Sequence, residues 1–158
     1  MTKNYDSCQS ISMMEKDWEL EQLPELSVED CLKLDDNSIK TTLDLLNYGC
    51  NLTQRQTLAA RLQVPVTQIN KWVILADLSR IPSIGLTYCE FLLQIGICSS
   101  SQLAQMRLDD LEKLVKIFQI RIFQRRELCP TVSRMSEWIS QAQYLNKIGN
   151  NKNDDIAQ

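Results

Sequence analysis

Residues Ile81–Ala104, IPSIGLTYCEFLLQIGICSSSQLA, decide how this chain is read. Asp77-Leu78-Ser79-Arg80 closes an amphipathic run. Pro82 ends that run, because proline disfavours a helical residue before it and supplies no N–H. Gly85 permits a tight backbone at the tip of the turn. A second apolar run (Leu86, Cys89, Phe91, Leu92, Leu93, Ile95) stops at Gly96, where a helix C-terminus favours glycine. Ser99-Ser100-Ser101 then offers caps for a further helix. The stretch predicts a helix, a tight turn and a second helix, with a third beginning after Gly96.

The same stretch has a counterpart earlier in the chain. At a shift of 58 residues, Leu23-Pro24-Glu25-Leu26-Ser27 lies under Ile81-Pro82-Ser83-Ile84-Gly85. Cys31 then falls under Cys89, Leu34 under Leu92, Ile39 under Ile97 and Leu45 under Leu103. A second marker is aromatic: Lys71-Trp72-Val73 with Ala76 matches Glu137-Trp138-Ile139 with Ala142 at a shift of 66. Two markers in the same order predict an internal duplication with a longer middle section in the second copy. Trp72 and Trp138 are then expected in equivalent core positions. Trp18 has no such twin, and its expected place is either the core edge or a partner contact.

Composition agrees with a helical protein. The chain of 158 residues has only 4 Gly and 4 Pro and is 44% hydrophobic. Six cysteines (Cys8, Cys31, Cys50, Cys89, Cys98, Cys129) form no CxxC pair, and there is no histidine. That composition argues against a zinc site and against histidine acid–base chemistry, and it predicts small buried thiols. No run of 18 apolar residues and no signal-peptide core occurs, which predicts a cytoplasmic setting without membrane insertion. Net charge is −3 and uneven. Residues 1–45 hold 4 Lys/Arg and 11 Asp/Glu, and the remainder holds 13 and 9. An acidic front is followed by a mildly basic body.

Along the chain, residues 1–14 read as a mobile start, 15–78 as a first unit, 79–146 as a second and 147–158 as a disordered tail. Ser27, Thr53 and Asp109 each open a capping signature, with a carboxylate or amide side chain three residues on, and Thr41-Thr42 cap a short helix. Gly49 and Pro65 punctuate the first unit, and Pro130 with Thr131 or Ser133 reopens the second.

No catalytic constellation appears: there is no Gly-rich phosphate loop, no GxSxG and no metal motif. Asp35-Asp36 and Asp109-Asp110 read as solvated or capping carboxylates. Asp77 reads as a partner for Arg80 or for turn amides. Residues 107–134 carry net charge +3, and Lys113, Lys116, Arg121, Arg125, Arg126 and Arg134 form a candidate basic patch near Phe118 and Phe123. Arginine beside aromatics suits RNA, but a solvated face over core phenylalanines or a site for an acidic protein fits equally.

Ile81, Ile84, Gly85, Gly96 and Ile97 resemble the helix-hairpin-helix family, whose turn reads apolar-x-Gly-apolar-Gly. Ser83 stands at the family's first glycine position. The resemblance implies that turn amides at a helix N-terminus hold a nucleic-acid phosphate, an arrangement that helix-end N–H groups favour. Carried onto this chain, the binding residues are Ser83, Gly85, Leu86 and Thr87, with Arg80 beside them. The first copy offers Glu25, Leu26, Ser27 and Val28, with no glycine and with Glu25, Glu29 and Asp30 repelling phosphate. Over residues 16–146 the chain further resembles a cyanobacterial and plastid-type family of unknown function built from duplicated helix-hairpin-helix-like domains. The segments that carry this likeness are Trp72–Gly85, Gly96-Ile97 and Leu128-Cys129-Pro130.

The expectation is therefore an all-α protein of two pseudo-symmetric helix-hairpin-helix-like units packed into one compact body. It is expected to be no enzyme and to hold no cofactor or metal. The leading functional expectation is an adaptor or regulator that binds a protein partner, with self-association compatible. The rival is sequence-tolerant binding of DNA or RNA backbone through the second turn and the basic patch.

Overall fold

The structure is a computed structural model that describes residues 15–121 and 129–156. Its architecture is all-α. A short 3-10 helix (Leu20–Gln22) precedes eight α-helices: α1 (Val28–Asp36), α2 (Thr42–Tyr48), α3 (Leu52–Leu62), α4 (Val66–Ser79), α5 (Gly85–Gln94), α6 (Ser100–Gln105), α7 (Leu108–Arg121) and α8 (Val132–Ile156). Among the described residues no strand forms; Glu19 and Thr41 make an isolated antiparallel bridge.

Helix α4 lies at the centre because its sequence leaves it no other place. Ile69, Trp72, Val73, Leu75, Ala76, Leu78 and Ser79 are all buried. A helix apolar on most of its circumference must be surrounded. Helices α2, α3 and α5 pack on it, while α8 packs on α6 and α7. One hydrophobic cluster runs from Leu20 through Trp72 to Trp138 and Leu145, so the two halves of the chain share a core. Trp72 and Trp138 are both buried in it, as their positions predict.

The helix ends follow local rules. The side chain of Ser27 accepts the Asp30 amide at the start of α1. Thr41 and Asp44 form a reciprocal capping box on α2, and Ser99 caps α6. Helix α5 ends in a Schellman motif: the Ile97 amide donates to Leu92 O and the Gly96 amide to Leu93 O, with Gly96 at φ +99°. Helix α1 ends the same way, through Ile39 to Leu34 O and Ser38 to Asp35 O, although Ser38 at φ +63° is not glycine.

Three expectations change. Thr53 does not cap α3; Asn51 does, accepting the Gln54 amide at 2.8 Å. Asparagine is among the strongest caps, and the Thr53 side chain accepts no helix-start amide. Asp109 does not open α7 either. The helix begins at Leu108, and Arg107 O accepts the Asp110 and Leu111 amides. The tail expected to be disordered from residue 147 instead continues α8 to Ile156. No proline interrupts it, and the one glycine, Gly149, costs only about 1 kcal/mol in a helix.

A clean test of the helix-end argument is Gly96→Ala. A Cβ there meets nothing within 4 Å, so only the left-handed backbone resists it. The variant is expected to lose about 1–2 kcal/mol in urea unfolding with helical content unchanged.

Candidate functional site

The turn between α4 and α5 was the strongest sequence candidate, and its polar atoms are largely engaged within the protein. The last carbonyls of a helix lack intrahelical partners. Here the Trp18 indole N–H donates to Ser79 O at 2.8 Å, and the Lys16 amide donates to Arg80 O at 2.8 Å. The Trp138 indole N–H donates to Ser83 O at 3.0 Å, and the Ser83 amide donates to Gln141 Oε1 at 3.0 Å. The Gly85 amide donates to Ile81 O at 2.8 Å, and Gly85 itself sits at φ +50° against the Trp18 ring. Leu86 and Thr87 occupy the first turn of α5, Leu86 half-buried and Thr87 exposed.

Arg80 is held as well. Its Nε donates to Asp77 Oδ1 at 2.9 Å, one terminal nitrogen donates to Glu15 at 3.1 Å and the other to Ser100 Oγ at 3.0 Å. Asp77 accepts the Ser100 amide at 2.7 Å and the Ser100 hydroxyl at 2.9 Å. Asp77 therefore closes the α6 N-terminus onto the α4 C-terminus. In the first half, the corresponding turn offers no free anion cradle: Glu25 is ion-paired to Lys71 at 2.6 Å. The Lys71 hydrogen bond holds the Glu25 carboxyl below its ordinary range.

The basic patch divides. Lys113, Lys116 and Arg121 share the outer face of α7 around Ile117, which is 50% exposed. Among the described residues none of the three is ion-paired. Arg134 starts α8 and lies over the Tyr88 ring, 5.3 Å from its centre. Phe118 is not an open stacking platform; it packs edge-on against Phe91. Arg125, Arg126 and Phe123 lie outside the described residues.

A surface that motif reading missed lies on α1. Val28 and Leu32 sit one turn apart and are 79% and 61% exposed. They border a groove of about 750 Å³ whose floor includes Leu26, Cys31 and Ile39. Glu19, Glu21 and Asp35 stand on its rim, with Lys40 opposite and ion-paired to Asp35. Burial, then the charges of Glu21 and Asp30, push the Cys31 thiol up. The signal available in the sequence was the pair of apolar residues at i and i+4 inside an acidic segment. It was unreadable without knowing which face of α1 the core takes.

The cysteines also divide. Cys89 is buried, as the composition predicts, while Cys50, Cys98 and Cys129 are exposed and Cys31 is intermediate. Among the described residues no group of histidine, cysteine and carboxylate side chains is arranged to hold a metal. No helix is long and apolar enough to cross a membrane among them.

A family model described as a domain of unknown function, DUF4332, matches residues 24–145. No curated protein and no solved structure matches the chain.

Asp77→Ala is expected to cost about 2–3 kcal/mol in urea unfolding, because Arg80 and the Ser100 amide lose a charged acceptor together. Thiol chemistry gives a second check. Burial pushes Cys89 up to about 11 from an ordinary 9.0. Cys50 and Cys98 should label rapidly with a disulfide reagent near pH 8, and Cys89 only on unfolding. The unfolded state releases the Cys89 proton first, so this group is neutral to stability below pH 9 and lowers it as pH rises from 9 towards 11. Cys89→Ala should remove that share of the alkaline loss.

Proposed function

We propose that this chain, which belongs to the DUF4332 family, is a non-catalytic interaction module that binds a protein partner. The observation that carries the reading is the outward apolar pair Val28 and Leu32 beside the acid-rimmed groove. Exposed apolar side chains at a groove, ringed by charge, are what a protein-binding surface presents. Engagement of Ser83, Gly85 and Arg80 inside the protein supports the same choice, since these are three of the five residues expected to hold phosphate, Leu86 and Thr87 being the others. Exposed free thiols fit a reducing, cytoplasmic setting.

We read the body as a duplicated helix-turn-helix unit of the helix-hairpin-helix kind. Supporting this are paired features 58 residues apart. Ser38 and Gly96 close matching Schellman turns, and Thr41 and Ser99 both cap the next helix. Thr42 and Ser100 are buried behind those caps. The Leu23 amide donates to Leu20 O as the Ile81 amide does to Leu78 O. In this reading the first copy has given its turn to the Glu25–Lys71 contact and its α1 face to the partner.

Backbone binding of DNA or RNA is the second reading, favoured by one observation: Lys113, Lys116 and Arg121 on α7 make no ion pair among the described residues.

Two measurements separate the readings. Wild-type bait and Leu32→Glu bait are compared in capture from native extract. A partner retained by the first and lost by the second is expected; equal capture would remove α1 from the function. Anisotropy of labelled duplex DNA, single-stranded DNA and RNA is then titrated at low and near-physiological salt. Affinity that disappears near physiological salt is expected. Micromolar binding that persists there, and falls at least tenfold in the Lys113→Glu, Lys116→Glu double variant, would establish the nucleic-acid reading instead.

A further inference from the structure

Resting on the protein-binding reading of α1, we infer that the partner seated in the α1 groove is a second copy of this chain, presenting the outer face of α7. The two surfaces are complementary in kind. The groove offers Val28 and Leu32 at its lip, with Glu19, Glu21 and the Asp35–Lys40 pair on the rim, a net acidic edge. The α7 face offers one exposed apolar side chain, Ile117, with Lys113 a turn before it, Lys116 next to it in sequence and Arg121 a turn after it. Ile117 meets the Val28–Leu32 lip, and the three cations meet the acidic rim.

The contact is between chains. Val28, Leu32, Lys113, Lys116, Ile117 and Arg121 are all exposed in the single chain, so its own α7 does not cover its own groove. Joining two different patches makes the contact heterologous: each added copy leaves one groove and one α7 face unfilled. Association then grows with concentration unless a ring closes. Rim ion pairs are exposed and screened by salt, so the association is weak and salt-sensitive.

Sedimentation of the full chain tests this. The average mass should rise above the 18.2 kDa of one chain between micromolar and millimolar concentration at low salt, and fall back at high salt. Leu32→Glu blocks the groove side and Lys113→Glu with Lys116→Glu blocks the helix side. Each variant alone should be at least tenfold weaker in self-association. An equimolar mixture should form a one-to-one dimer and nothing larger, because one intact groove and one intact α7 face remain. If Leu32→Glu lowers helicity by circular dichroism, Glu21→Lys with Asp35→Lys takes its place. A wild-type chain that stays monomeric throughout, a variant that associates like wild type, or a mixture that fails to pair would each overturn the inference. Monomeric wild type together with Leu32-dependent capture of a different protein would overturn this inference alone and leave the interaction module standing.

Discussion

The turn from Ser79 to Gly85 holds the protein together because backbone groups at a helix end must find partners elsewhere. Two separate segments meet that demand. The segment before the 3-10 helix brings Lys16 and Trp18 to Arg80 O and Ser79 O. Helix α8 brings Trp138 and Gln141 to the two sides of Ser83. An unmade hydrogen bond in such a place costs about 1–3 kcal/mol, so the turn locks first segment, central helix and last helix into one arrangement. Both tryptophans satisfy carbonyls with their indole N–H groups, and Trp138 also fills the core with its ring.

A second polar knot continues the same logic. Asp77 and Arg80 lie at the end of α4, and Ser100 lies at the start of α6. Their mutual bonds leave the buried polar side chains satisfied among the described residues. Thr42 is served in the same way by the Trp18 backbone and by Asp17. Charge that would attract a phosphate in an isolated turn is spent on internal order. What remains for recognition is displaced to the outside: an apolar and acidic face on α1, and a basic face on α7.

That separation bears on function. The Ser83 and Gly85 amides and Arg80 cannot be loosened for a ligand without opening contacts within the turn or to α8, α6 and Glu15. The faces of α1 and α7 can be altered without touching the core, since their side chains project into solvent. Changes there leave the buried polar contacts and the core intact.

The sequence by itself determined the all-α architecture, most helix ends, and the burial of Trp72 and Trp138. These follow from local rules: period, caps at Ser27, Thr41 and Ser99, and the glycine at position 96. Where two caps compete, as at Asn51 and Thr53, the capping-box pattern points to Thr53 but the stronger cap, Asn51, starts the helix. The sequence also located the turn at Pro82–Gly85 but not its use. Only tertiary structure decided that Arg80 is spent on Asp77, Glu15 and Ser100, since two of those three partners lie 20 or more residues away in the chain. Only it decided that Trp18 seals the turn and that Val28 and Leu32 face outward. An apolar residue on an amphipathic helix is silent about which neighbour covers it; that is fixed by packing between segments, which no local pattern encodes.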